Sequence, residues 1–227
     1  MKYKNIKEAK FLSRPNRFIA YCEVDGKKET CHVKNTGRCK ELLVPGAKVL
    51  LEKAENELRK TPYDLVSVYK GERLINMDSM APNKVFGEFI EEGKFIDKVT
   101  KIKPEYTYGD SRIDYFIETE DKKILAEVKG VTLEKDNIVY FPDAPTERGV
   151  KHLEELIKAQ KDGFEAYIIF ITQMSEIKFF SPNRETHPEF AEKLIEAQNS
   201  GVNIKCYECF VKPGEMHIKG EIQVKLY

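Results

Sequence analysis

The stretch Arg112-Ile-Asp-Tyr-Phe-Ile117, followed after six polar residues by Ile124-Leu-Ala-Glu-Val-Lys129, sets a carboxylate ahead of a Glu-x-Lys triplet. Both runs have strand character, and Glu118-Thr-Glu-Asp-Lys-Lys123 between them is polar enough to turn, so an antiparallel hairpin is expected. With Glu118 facing Lys123, Asp114 falls opposite Glu127 on one face of the sheet. Like charges so placed destabilise a hairpin and raise one carboxyl pKa, and a divalent cation removes the conflict. Side chains alternate along a strand, so Lys129 shares the face of Glu127 while Ile124, Ala126 and Val128 turn to a core. One face is expected to carry chemistry and the other packing, a pattern found in metal-dependent nucleases. An Asp followed by Glu-x-Lys is, taken alone, more often a solvated strand face. The reading also depends on register, since a slip of one residue sets Val128 opposite Asp114.

The surrounding 227 residues are 41% hydrophobic and 33% charged, the balance of a folded globular chain rather than a disordered one. No apolar run is long enough to span a bilayer, and the opening Met1-Lys-Tyr-Lys-Asn-Ile-Lys7 lacks the apolar core of an export signal. A cytoplasmic protein with no membrane partner is expected. The formal charge of zero hides an asymmetry: residues 1–60 hold 15 Lys+Arg against 8 Asp+Glu. A basic front suits a polyanion and an acidic remainder suits a cation, with ordinary solvated surface as the alternative. Cys22, Cys31, Cys39, Cys206 and Cys209 make an odd count and argue against a disulfide framework. Cys206-Tyr-Glu-Cys209 has zinc-ligand spacing but no second pair, so buried strand cysteines are the stronger expectation.

Residues 1–82 alternate short apolar runs with turn signals such as Asp25-Gly26, Asn35-Thr-Gly37 and Pro45-Gly46. This predicts a small β-barrel, oligonucleotide-binding-like or SH3-like, which pattern cannot separate. Residues 83–227 predict an α/β domain. Val85, Phe86, Phe89 and Ile90 fall at helical spacing with Asn83 as cap, and Glu88 flanks the stripe as an acidic residue able to reach the active face. Thr146 caps a second expected helix, Glu147 to about Lys161, with Gly163 as terminator and Val150, Leu153 and Ile157 as core stripe. Its other side shows Arg148, Lys151, His152 and Glu155, either a phosphate grip in the opening turns or a charged solvent face. Ala166-Tyr-Ile-Ile-Phe-Ile171 reads as a strand covered on both faces, so strand, helix, strand implies a parallel crossover. Ile177–Phe180, Pro188–Ser200 and Val202–Tyr207 read as strand, helix and strand.

Arg14-Pro-Asn-Arg-Phe18, His32-Val-Lys-Asn-Thr-Gly-Arg38, Tyr108-Gly-Asp-Ser-Arg-Ile-Asp114, Glu127-Val-Lys129 and the run from Phe141 to Leu153 together resemble the sugar fermentation stimulation protein A family. The resemblance spans almost the whole chain. It implies an oligonucleotide-binding-like barrel joined to a restriction-endonuclease-like, PD-(D/E)XK, domain with a central mixed sheet, and a DNA-binding role linked by name to sugar metabolism. Carried over by position, the metal ligands fall on Asp114 and Glu127 and the lysine on Lys129, with Glu88 as a helix carboxylate. Ile113 stands where the superfamily name expects proline.

Phosphodiester hydrolysis needs an activated water and a neutralised phosphate, which a hard cation supplies. Magnesium is the expected ion, with manganese as substitute, held by Asp114, Glu127 and the Val128 carbonyl, and Lys129 beside the water. Arg14, Arg17, Lys34 and Arg38 are the expected backbone contacts in the front unit, joined by Arg148, Lys151 and His152. Phe18 and Tyr21 are either stacking partners or barrel core. The expected partners are DNA, its strandedness open, and a second copy of the chain. A DNA-binding regulator without turnover is the alternative function; a glycosidase pair is disfavoured because the chain has no Trp.

Overall fold

The computed structural model describes residues 1–35, 37–56 and 58–227. Thr36, in the expected Asn35-Thr-Gly37 turn, lies outside them. The front unit consists of β1 (Ile6–Ser13), β2 (Ile19–Val24), β3 (Lys27–Val33), β4 (Lys48–Lys53), β5 (Tyr63–Lys70) and β6 (Arg73–Asn76). Period-2 alternation buries Ala20, Cys22 and Val24 on β2 and Cys31 and Val33 on β3. Asp25 and Gly26, at φ 50° and 77°, form the two-residue turn that returns β2 to β3. The sheet runs β3-β2-β1-β4-β5-β6, and β5 also pairs in parallel with β3. That closing pair makes a five-stranded Greek-key barrel of the oligonucleotide-binding type, settling the choice that pattern left open.

The second unit consists of α1 (Ala81–Glu91), β7 (Val99–Tyr108), β8 (Ser111–Thr119), β9 (Lys123–Val131), β10 (Leu133–Lys135), β11 (Ile138–Phe141), α2 (Glu147–Lys161), β12 (Glu165–Thr172), β13 (Phe179–Pro182), α3 (Pro188–Asn199), β14 (Asn203–Lys212) and β15 (Glu215–Val224). Its strands form one mixed sheet in the order β10-β11-β13-β15-β14-β12-β9-β8-β7. The crossover from β9 through α2 returns in β12, parallel to β9 from Ile124–Glu165 to Val131–Thr172.

Helices cover both faces of this sheet. Val85, Phe86 and Ile90 of α1 bury against Ile124, Ala126, Val128, Ile169 and Ile171. On the other face, Val150 and Leu153 of α2 and Phe190 and Leu194 of α3 pack with Leu125, Ile168 and Phe170 in a core continuous with the barrel. This corrects the expectation of one chemical and one packed face: β9 is buried on both sides, because α2 lies across the Leu125 face. On β9, Glu127 and Lys129 interrupt the apolar surface there.

α2 begins as expected, with Thr146 Oγ1 accepting the Gly149 N–H at 3.1 Å. α1 starts three residues earlier than expected. Met80 occupies the cap position and Pro82 the first turn, where a fixed φ and a missing N–H cost nothing. Asn83 is therefore inside the helix, its side chain free for another partner.

Two polar clamps join the units. Gln173, at the end of β12, donates through Nε2 to Asn76 Oδ1 at 2.9 Å and to the Asn76 and Asp78 carbonyls at 3.1 and 3.0 Å. Lys70 and Arg73 of the β5–β6 hairpin pair with buried Glu134 of β10 at 2.7 and 3.0 Å. No helix among the described residues is long and apolar enough to cross a membrane.

Candidate active site

β8 and β9 pair from Glu118–Lys123 to Tyr115–Ala126, the expected register, and the ladder stops there. Past its end, the Val128 N–H that a further ladder bond would satisfy is taken by Asp114 Oδ2 at 2.8 Å. Asp114 and Glu127 are thus neighbours without being ladder partners, a correction to the directly opposed pair: one carboxylate has turned along the strand end to a backbone donor.

Asp114 Oδ1 accepts from Asn83 Nδ2 of α1 at 2.8 Å. Tyr115 fixes that helix in place, its hydroxyl donating to the Asn83 carbonyl at 2.8 Å. Only glycine at position 87 permits this approach, since a Cβ there would lie 2.6 Å from the Tyr115 oxygen. Burial, aided by the charges of Asp114 and Glu91, pushes the Tyr115 hydroxyl up to about 12 and keeps it a donor. Burial also raises the Asp114 carboxyl above its ordinary value, and the negative charge of Glu127 raises it further.

Glu127 is only 2% exposed. Its Oε1 accepts from Lys129 Nζ at 2.6 Å and from Nδ1 of His152 on α2. Burial alone would raise this carboxyl, but the His152 bond and the Lys129 charge outweigh it and hold the group below the usual range. Its Oε2 is buried with no hydrogen-bond partner. Arg148 Nε donates to His152 Nε2 at 3.2 Å. Nε2 is therefore the acceptor nitrogen of the ring and Nδ1 carries the proton given to Glu127.

His152 was placed by sequence among outward phosphate contacts; it is instead 4% exposed and joined to the acidic pair. Helical spacing explains the error, since the positions flanking the Val150–Leu153–Ile157 stripe sit at the margin of the buried face. Glu88 also departs from expectation. Its carboxylate pairs with the amino group of Met1 at 2.6 Å, and Asn83 is the α1 residue that touches Asp114. Among the described residues no group of three or more His, Cys, Asp or Glu side chains gathers around a cation-sized gap.

The basic candidates divide. Arg14 is consumed internally, its guanidinium donating to the carbonyls of Arg17, Asn35, Gly37 and Arg38 at 2.6–3.1 Å. Lys34 lies within 3.5–3.7 Å of Asp64, Asp78 and Glu52. Burial would lower its pKa, but these carboxylates together raise it. Both are structural cations, not free phosphate contacts. Arg17, Arg38, Arg148 and Lys151 are exposed. Phe18 is 56% exposed, which excludes the barrel core for it, whereas Tyr21 is half-buried beneath Lys28 at 4.0 Å. Cys206 and Cys209 are buried and free.

A family model described as the sugar fermentation stimulation protein RE domain matches residues 80–215, and one described as the SfsA N-terminal OB domain matches residues 12–77. The chain is 55% identical over 226 residues to a sugar fermentation stimulation protein homolog of Clostridium beijerinckii, covering all of both chains. It is 53% identical over the same length to one from Ruminiclostridium cellulolyticum, again covering all of both. Among solved structures it is similar to Pyrococcus furiosus SfsA in complex with Ca2+, with TM-score 0.91 and 31% identity over 99% of this chain and 98% of the other. With both halves matched and full-length relatives above half identity, this chain belongs to the sugar fermentation stimulation protein family.

Proposed function

We propose that the protein is a divalent-metal-dependent DNA nuclease whose cation is held by Asp114 and Glu127. The observation that carries this reading is Glu127 Oε2, a buried carboxylate oxygen with no donor beside a second carboxylate. An orphaned anionic oxygen costs free energy that a stable hairpin has no reason to bear. The donor set is hard oxygen, which suits magnesium with manganese as substitute, and two carboxylates suffice for an ion that keeps several waters. The Val128 carbonyl completes the proposed protein ligands. That the Pyrococcus relative was solved with Ca2+ supports a hard divalent ion.

When bound, the cation would neutralise phosphate charge and make a water acidic enough to attack. The protein's own groups do the rest. Lys129 and His152 both hold Oε1 of Glu127, so Oε2 is the oxygen left to face a ligand. Lys129, 15% exposed at the side chain, orients the attacking water and offsets developing negative charge. Arg148, exposed and bonded to His152, binds a non-bridging phosphate oxygen. A DNA-binding regulator without turnover is the second reading, favoured by the absence, among the described residues, of any group of three or more His, Cys, Asp or Glu side chains placed to hold a cation.

Linear and supercoiled DNA incubated with magnesium, manganese or EDTA separates the two. Cleavage that requires metal and is lost in Asp114→Asn supports the nuclease; binding with no product in any metal supports the regulator.

A further inference from the structure

We propose that the cleft between the barrel and the loop entering α2 seats single-stranded DNA, an inference that rests on the DNA reading above and specifies its substrate class. The cleft has a volume of ≈ 1040 Å³ and is walled by the β1–β2 loop and the segment after β3 on one side and residues 141–146 on the other. The loop after β1 is one of the two from which barrels of this type take oligonucleotides.

Charge and polarity favour one occupant. The lining holds four cationic side chains, Arg14, Arg17, Arg38 and Lys40, against a single carboxylate, Asp143. Asp143 accepts the Arg38 N–H at 3.2 Å and so is already engaged with the loop. Arg14 cross-links the two barrel loops by occupying four of their carbonyl oxygens. This removes acceptors that would repel phosphate and fixes the wall before any ligand arrives. Arg17, Arg38 and Lys40 are exposed and have no carboxylate partner among the described residues. Two cationic residues on exposed turns of α2, Arg148 and Lys151, continue the charge toward Glu127.

Between these cations the surface is apolar. Pro45, Phe141 and Pro145 line the cleft, with Phe11, Leu43 and Pro142 buried beneath them. At its margin stand Phe18, 56% exposed and adjacent to Arg17, and Val44, 48% exposed and adjacent to Pro45. Asn16 Oδ1 accepts the N–H groups of Phe18 and Ile19 at 2.9 and 3.0 Å, which holds the Phe18 backbone in its exposed position. A duplex turns its phosphates outward and hides its base faces, so it would leave this apolar floor uncovered. A single strand offers both at once: phosphates to the rim cations and unstacked bases to the aromatic and proline surface.

The test is fluorescence anisotropy in EDTA, where cleavage is blocked, with a labelled single strand and its blunt duplex. The single strand should bind the more tightly, with affinity that falls steeply as salt rises. Phe18→Ala should weaken single-strand binding about tenfold and change duplex binding little. Arg17→Glu with Arg38→Glu, both exposed positions, should weaken it by more than that. A duplex bound as tightly as the single strand, or parental affinity in the double variant, overturns the cleft assignment. Metal-dependent cleavage lost in Asp114→Asn is read separately, so the nuclease proposal stands or falls by its own result. No binding of either DNA form in EDTA would overturn the cleft assignment and leave the nuclease proposal to its own cleavage assay.

Discussion

Glu127→Gln keeps the shape of the side chain, exchanging one carboxylate oxygen for an amide nitrogen, and so changes chiefly what the orphaned position can offer. In the parent, Oε2 is an anionic oxygen with no donor; in the variant that position is an amide N–H2, unable to accept a cation. Oε1 still accepts from His152 and Lys129, so the surrounding packing is retained. Without metal, loss of repulsion on Asp114 opposes loss of the ionic partner of Lys129, and the unfolding temperatures of parent and variant should differ by a few degrees at most. Magnesium separates them. At one hundred times its dissociation constant, a ligand bound only to the folded state stabilises by about 2.7 kcal/mol. For a chain of this size each kcal/mol moves the midpoint about 2–4 °C, so the parent should rise by about 5–11 °C. Glu127→Gln should rise by about 1 °C or less at the same concentration. Differential scanning fluorimetry in EDTA, then across a magnesium titration, measures both terms. A variant that keeps the parental metal-induced rise would show that the orphaned oxygen holds no cation.

Lys129→Ala should slow cleavage about 10²–10⁴-fold while leaving DNA affinity near the parental value, read by gel-based rates and by anisotropy. His152→Ala should weaken metal affinity about 10–100-fold, measured by calorimetric titration with manganese, because Glu127 loses the bond that fixes which oxygen faces outward. Gly130→Ala would set a Cβ 2.5 Å from Gln173 Oε1 and 2.7 Å from Pro82 Cγ, and should lower stability by about 1–3 kcal/mol in a denaturant titration. Burial pushes Glu134 up, but Lys70, the Asn137 N–H and Arg73 hold it below its ordinary value of 4.5. A depressed folded pKa means its contribution is present above about pH 4.5 and lost as pH falls through the folded value. Hydrogen exchange in β10 and the β5–β6 hairpin should therefore accelerate on acidification below pH 4.5, and this step should be smaller in Lys70→Met, where Arg73 and the Asn137 N–H still hold Glu134.

The hairpin was legible because turn polarity and apolar runs together pin a register, and the observed Glu118–Lys123 pair is the expected one. α2 was legible from cap to terminator because Thr146 and Gly163 are strong local signals. The sequence did not reveal β7 or β15. Val99–Tyr108 is a largely exposed edge strand with few apolar residues, and Glu215–Val224 alternates too weakly to show a buried face. At the site, the Asp, Glu and Lys were identified from type and spacing. Asn83 and the role of His152 were not, because each depends on which helix crosses which sheet face. Glu88 looked suitable on its own helix, yet five residues separate it from Asn83, which places the two on different sides. The barrel cations show the same limit: composition gives a charge but cannot tell that Arg14 and Lys34 are already engaged within the fold.

Gln173 and Glu134 fasten the two units at separate points, one just past the end of β12 and one on the edge strand β10. Two fastenings prevent the swivel that a single connection would allow. The span from the barrel loops to Glu127 is therefore set by protein geometry and not by thermal motion, and a polymer touching both meets a gauge of fixed length. Fragments cut from a strand gripped at one end should share a common offset from that end.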